Sequence, residues 1–150
     1  MSDSNYWNNR FAENGHTGYK DKFLYAWDQE VRKEIVGKYI QKHIAKKSKI
    51  KHRVLDFGCG VGDFTQLMLD KGLDVTAVDI STSRLELLRE NLERCGLKAN
   101  IIESDAFNII DKFDIVLLDA PCSATGTIRR HPDLIYCKDG SDFFELIETQ

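Results

Sequence analysis

A chain of 150 residues with 42% hydrophobic content suits one domain, able to bury about two thirds of its unfolded surface. Its formal net charge of -3 excludes a global basic field, so contact with nucleic acid must rest on a local patch or on another chain. No apolar run approaches the roughly 18 residues that span a bilayer. Cys59, Cys95, Cys122 and Cys137 follow no apolar leader, which predicts a reduced, cytoplasmic protein rather than a disulfide framework.

In chain order, the segment YKDKFLYAWDQEVRKEIVGKYIQKHIAKK comes first. Phe23, Trp27, Val31, Ile35, Tyr39 and Ile40 recur near helical spacing there, predicting one long helix or a broken pair over one end of a sheet. KHIAKKSKIKHR (42–53) holds six Lys and Arg and no acid. Two readings stand for it: cations complementing a helix C-terminus, or a hold on RNA phosphates. HRVLDFGCGVGDFTQLML then reads as a strand (Val54 to Phe57), a glycine loop and a helix with Phe64, Leu67 and Met68 on one face. DVTAVDI (74–80) is a second strand. STSRLELLRENLERCG (81–96) is a helix with Ser81 as N-cap, Gly96 as stop, and Leu85, Leu88, Leu92 and Cys95 on one face.

ANIIESD (99–105) and FDIVLLDA (113–120) read as third and fourth strands, and SDFFELIETQ as a closing helical stretch. Strands alternating with helices predict a Rossmann-like α/β fold with a parallel sheet and right-handed crossovers. The whole is expected to form a single domain over 1–150: an N-terminal helical cap (1–50), a cofactor-binding core (51–120) and a partial catalytic segment (121–150). There is no internal repeat, low-complexity segment or Pro/Gly-rich linker.

The glycine loop sets the cofactor class. A dinucleotide fingerprint needs G-x-G-x-x-G, whereas Gly58, Gly60 and Gly62 are spaced G-x-G-x-G and Asp63 takes the third fingerprint position. There is no G-K-[ST] of a P-loop, and the flanking Asp56 and Asp63 would repel a pyrophosphate. A cationic ligand without phosphate suits the loop, and S-adenosylmethionine is one; glycines let its methionine tail approach the backbone. Asp79, ending the second strand about 20 residues beyond the loop, is placed to accept ribose hydroxyls. Asp105, ending the third, is placed to accept from an adenine amino group. Ile80, Ala106 and Asp119 complete the expected cofactor contacts, all at the carboxyl ends of strands, where open α/β sheets bind ligands.

Residues 54–119 resemble a class I S-adenosylmethionine-dependent methyltransferase, with VLDFGCGVG matching the first motif and VTAVDIS the second. FDIVLLDAPCSATGTIRRHPDL closely resembles the fourth motif of bacterial ribosomal-RNA cytosine-5 methyltransferases, and SRLELLRENLERCGL the helix before it. This narrower likeness covers residues 76–150. NYWNNRFAENGHTGYKDKFLYAWDQ instead looks like the opening helices of small-molecule or general class I enzymes, and DFGCGVGDFT departs from the Ala-Pro-Gly-Gly-Lys loop usual in the RNA enzymes.

The resemblance implies Cys122 and Asp119 as catalytic residues. Methylating cytosine C5 needs a thiolate at C6 and an acid near N3. In the RNA family the Pro-Cys thiol is implied to assist release, with attack by a Thr-Cys cysteine; no Thr-Cys occurs here, and in a DNA-type mode Cys122 itself would attack. Pro121, Arg129 and Arg130 are the expected substrate contacts. A zinc site from Cys122, His131 and Cys137 lacks standard spacing and a fourth ligand, so no metal is expected.

The class I pattern has seven strands against four here, so the sheet is expected to end early, with the fourth strand as an open edge inviting a second copy. Three functions remain in play: an RNA cytosine-5 methyltransferase, a small-molecule methyltransferase, and a cofactor-binding or interaction module without transfer.

Overall fold

The computed structural model describes residues 9, 11–13, 21–44, 52–118, 123–137, 140–141 and 143–149. The chain's contacts divide between two units, one within residues 7–111 and one within residues 112–150.

In the first unit, helix α1 (Lys22–His43) is unbroken. Asp21 caps it, its Oδ1 accepting from the Phe23 and Leu24 N–H groups at 2.8 and 3.0 Å. The apolar spacing identified its packed face only in part. Phe23, Trp27, Ile35 and Tyr39 are exposed, whereas Ile40 is buried with Met68, Leu73 and Val75, and Val36 packs beside them. Gly37 lies on that face, where a Cβ would make ordinary contact with Lys71 and Leu67 at 3.6–3.8 Å.

Three parallel strands follow in the order β1 (Arg53–Phe57), β2 (Asp74–Asp79), β3 (Asn100–Glu103). The register pairs Asp56 with Ala77 and Ala77 with Ile101. β1 leads into α2 (Asp63–Asp70) and β2 into α3 (Thr82–Arg94). Ala77, Val78 and Asp79 are buried in succession, so both faces of β2 are covered, as a central parallel strand requires. Leu85 and Leu88 are fully buried against Ala77 and Cys59, and each contributes about 1.5–3 kcal/mol through the apolar surface removed from water.

Ser81 occupies the N-cap position of α3, but its hydroxyl bonds to the Ser83 hydroxyl rather than to a backbone N–H of the first turn. At the other end Gly96 (φ +66°) donates to the Glu93 carbonyl, and Leu97 to that of Leu92, closing a Schellman turn. Cys95, expected on the apolar face, is instead exposed as the C-cap residue. The turn that ends the helix lifts it off the core.

The expected fourth strand is corrected. Residues 113–118 have no strand structure, and Ile115, Val116, Leu117 and Leu118 are 62–90% exposed. A continuous apolar run forms a strand only with a ladder partner and cover on both faces, and no described element provides that cover. The open edge expected of that strand goes with it; β1 and β3 are the outer strands of the sheet. The second unit contains a 3-10 turn (Thr125–Thr127) and short helices α4 (Leu134–Cys137) and α5 (Phe143–Thr149). Tyr136, Phe144 and Ile147 are exposed on them. Among the described residues no helix is long and apolar enough to cross a membrane.

Candidate functional site

The parallel register brings the carboxyl ends of β1, β2 and β3 together. Gly58, Gly60 and Gly62 follow β1 with φ of +64°, +56° and +98°. The loop folds over β2: Cys59 N–H donates to the Val78 carbonyl at 3.0 Å and Gly60 N–H to Asp79 Oδ2 at 2.9 Å. From β3, Ser104 N–H donates to the Asp79 carbonyl at 3.1 Å, setting Asp105 beside the end of β2.

The glycines serve different ends. A Cβ on Gly62 would lie 2.2 Å from Leu88 Cδ1, so this glycine admits the core leucine. A Cβ on Gly58 or Gly60 would meet nothing within 4 Å. The outer face of the loop is thus open to a ligand along bare backbone.

Asp79 is buried at 4% exposure. Its Oδ1 accepts from Ser81 N–H (2.9 Å) and from Arg84 Nε (3.1 Å) and Nη2 (2.7 Å), while Oδ2 holds the loop through Gly60. Asp56 is half-buried and accepts from the hydroxyl of Thr65 at 2.5 Å. Burial raises the Asp56 carboxyl above the usual range; the Thr65 bond opposes that rise and the nearby Asp79 charge adds to it. Asp63 belongs elsewhere. Lys33 pairs with it at 2.6 Å and Tyr25 Oη donates to it at 3.5 Å, tying α1 to the start of α2.

Ile80 is half-exposed past the end of β2. Asp105 caps the 3-10 turn Ala106–Asn108 by accepting from Phe107 N–H at 3.1 Å, and Ala106 is exposed. The structure therefore gathers Asp56, Gly58, Gly60, Gly62, Asp79, Ile80, Asp105 and Ala106 at one end of the sheet. Asp119, Pro121 and Cys122 lie outside the described residues. Arg129 and Arg130 are exposed in the second unit, after the turn built on Ala124 (φ +60°). Cys59 is buried, and burial pushes its thiol up to about 12, with Asp56 and Asp79 adding to the rise, which disfavours the thiolate.

Sequence reasoning missed three supporting residues. Thr65 is fully buried beneath Asp56, Arg84 is buried against Asp79, and Asn91 Nδ2 donates to the Val61 carbonyl at 3.1 Å. A signal existed for Arg84. It lies four residues before Leu88 and eight before Leu92, a cation on the apolar stripe of α3, and such a position requires a buried partner.

Strand order β3-β2-β1, the glycine loop after β1 and acids at three strand ends define a Rossmann-like α/β domain of the nucleoside-binding kind, without a dinucleotide fingerprint. The chain belongs to the family described as 16S rRNA methyltransferase RsmB/F, whose model matches residues 44–150. It is 47% identical over 89 residues to ribosomal RNA small subunit methyltransferase B of Shewanella oneidensis, covering 56% of this chain and 21% of that protein. Among solved structures it resembles the PH0226 protein from Pyrococcus horikoshii OT3 (25% identity, 71% of this chain, 42% of that chain, TM-score 0.51). An S-adenosylmethionine-dependent methyltransferase from Clostridium acetobutylicum is another neighbour (23% identity, 60% of this chain, 38% of that chain, TM-score 0.48). The matched segment spans between 21% and 24% of the length of the curated relatives.

Proposed function

We propose that this chain binds S-adenosylmethionine in the cytoplasm and serves methyl transfer to carbon 5 of a cytosine in ribosomal RNA. The observation that carries the reading is the pairing of an open loop at Gly58 and Gly60 with the Asp79 carboxylate fixed directly beneath it, in a chain of an rRNA methyltransferase family. The residues fit the cofactor. In this reading Asp79 accepts from the ribose hydroxyls and Asp105 from the adenine amino group, and Ile80, half-exposed, offers an apolar surface to the base. The Asp56 carboxylate favours a sulfonium over a phosphate, while Arg84 offsets the charge of Asp79. When bound, S-adenosylmethionine supplies an electrophilic methyl group.

On the acceptor side, Cys122 and Asp119 have the chemistry cytosine requires, a thiolate for C6 and an acid near N3, with Pro121, Arg129 and Arg130 as substrate contacts. The test is mass spectrometry of ribosomal RNA incubated with the chain and isotope-labelled S-adenosylmethionine. Labelled 5-methylcytosine that disappears in Cys122→Ala supports attack by Cys122. Labelled 5-methylcytosine that persists in Cys122→Ala removes Cys122 from attack. Cofactor binding with no labelled nucleoside supports a second reading, a cofactor-binding module without transfer, which the exposed, strandless 113–118 run favours. Label in small acceptors alone points to a small-molecule enzyme.

A further inference from the structure

Asp79 and Arg84 form a buried ion pair inside the cofactor end of the sheet, with side chains 4% and 10% exposed. Burying an ionised carboxylate is unfavourable unless a cation and hydrogen bonds replace its lost water. Arg84 supplies both, with Nε at 3.1 Å and Nη2 at 2.7 Å from the same oxygen, Oδ1. Ser81 N–H adds a third donor to that oxygen at 2.9 Å. Oδ1 is thereby saturated and the carboxylate cannot rotate without losing charge-assisted bonds. Oδ2, the other oxygen, faces the glycine loop, with Gly60 N–H at 2.9 Å.

We infer that Arg84 is a positioning residue for the cofactor ribose: it clamps Oδ1 of Asp79 so that Oδ2 keeps an acceptor site aimed at the ribose hydroxyls. The inference rests on the cofactor reading above and deepens it. Arg84 touches no cofactor atom in this scheme; it acts through the Asp79 carboxylate. Lysine is a poor substitute because a point charge on a flexible stem cannot place two donors on one oxygen in a fixed plane.

The test compares wild type, Arg84→Met and Arg84→Lys in the full chain. Calorimetry measures affinity for S-adenosylhomocysteine and for its 2′,3′-dideoxyribose analogue, which lacks the hydroxyls Asp79 would accept. Arg84→Met is expected to weaken S-adenosylhomocysteine roughly tenfold or more, the scale of a lost charged hydrogen bond, and to leave the analogue within about twofold of wild type; Arg84→Lys falls between. Equal weakening of both ligands by the better-folded variant overturns the inference and makes Arg84 purely structural, as does unchanged affinity for both. If Arg84→Met does not fold, Arg84→Lys alone decides, because selective loss of the hydroxyl-bearing ligand is the required result. Wild type that binds neither ligand overturns the cofactor reading together with this inference, and the wild-type control tells that failure from failure of Arg84.

Discussion

The β2 strand and residues 115–118 are both apolar runs, yet they end in opposite states. Val75, Ala77 and Val78 are at most 2% exposed, whereas Ile115 through Leu118 are at least 62% exposed. β2 has a ladder on each side and helices over its faces. Among the described residues, 115–118 have no ladder partner. Hydrophobicity thus proposes a strand, and neighbours decide whether it forms.

This contrast can be broken at several points. Asp79→Ala should have the largest effect, because it leaves Arg84 buried without its carboxylate; a loss of about 3–5 kcal/mol is expected in denaturant unfolding. Adding Arg84→Met should recover part of that loss, and a double variant no more stable than Asp79→Ala would separate the two residues energetically.

Gly62→Ala comes next, with its Cβ 2.2 Å from Leu88 Cδ1 and φ at +98°. Overpacking and backbone strain together should cost roughly 2–4 kcal/mol, read as a lowered thermal midpoint. Gly60→Ala has open space and a φ of +56°, so only about 1–2 kcal/mol of stability is expected to go. Its affinity for S-adenosylhomocysteine should nevertheless fall, since the added methyl occupies the open face of the loop. Unchanged affinity by calorimetry would remove that face from the site.

Stability should also fall with alkali. The Cys59 thiol moves from 9.0 to about 12 on folding, so above pH 9 the unfolded chain loses a proton that the folded chain keeps. The stabilisation is complete below pH 9 and is lost as pH rises through about 12. Cys59→Ala should flatten this alkaline limb in unfolding curves, and iodoacetamide at pH 8.5 should label Cys95 before Cys59. The smallest effect belongs to Leu117→Ser: at 90% exposure it should change stability by no more than about 0.5 kcal/mol. A drop of core size would show that the run is packed after all, and would remove the contrast with β2.

Much of the fold was legible in the residues. The three strands, the α2 and α3 helices and the glycine loop follow from alternating periodicities and G-x-G-x-G spacing, because these are local patterns with local causes. The acids at the strand ends were legible as well, since a parallel sheet gathers the carboxyl ends of its strands whatever surrounds them. The packed face of α1 was legible only in part. Large residues at positions 23, 27, 31, 35, 39 and 40 advertised one stripe, but of these only Ile40 is buried, with Gly37 and Val36 on the packed side beside it. Cys95 misled similarly, because the Schellman turn at Gly96 ends the helix just where the stripe would have continued.

By itself, then, the sequence determined the three strands with the helices between them, the family motifs and the glycine loop, all of which depend on residues close together in the chain. Only the tertiary structure decided which apolar runs are buried and how Asp79 is held. A charge is stable in the interior only with a partner brought from another element, and Arg84 on α3 and Gly60 after β1 become that partner and its counterpart when the sheet assembles.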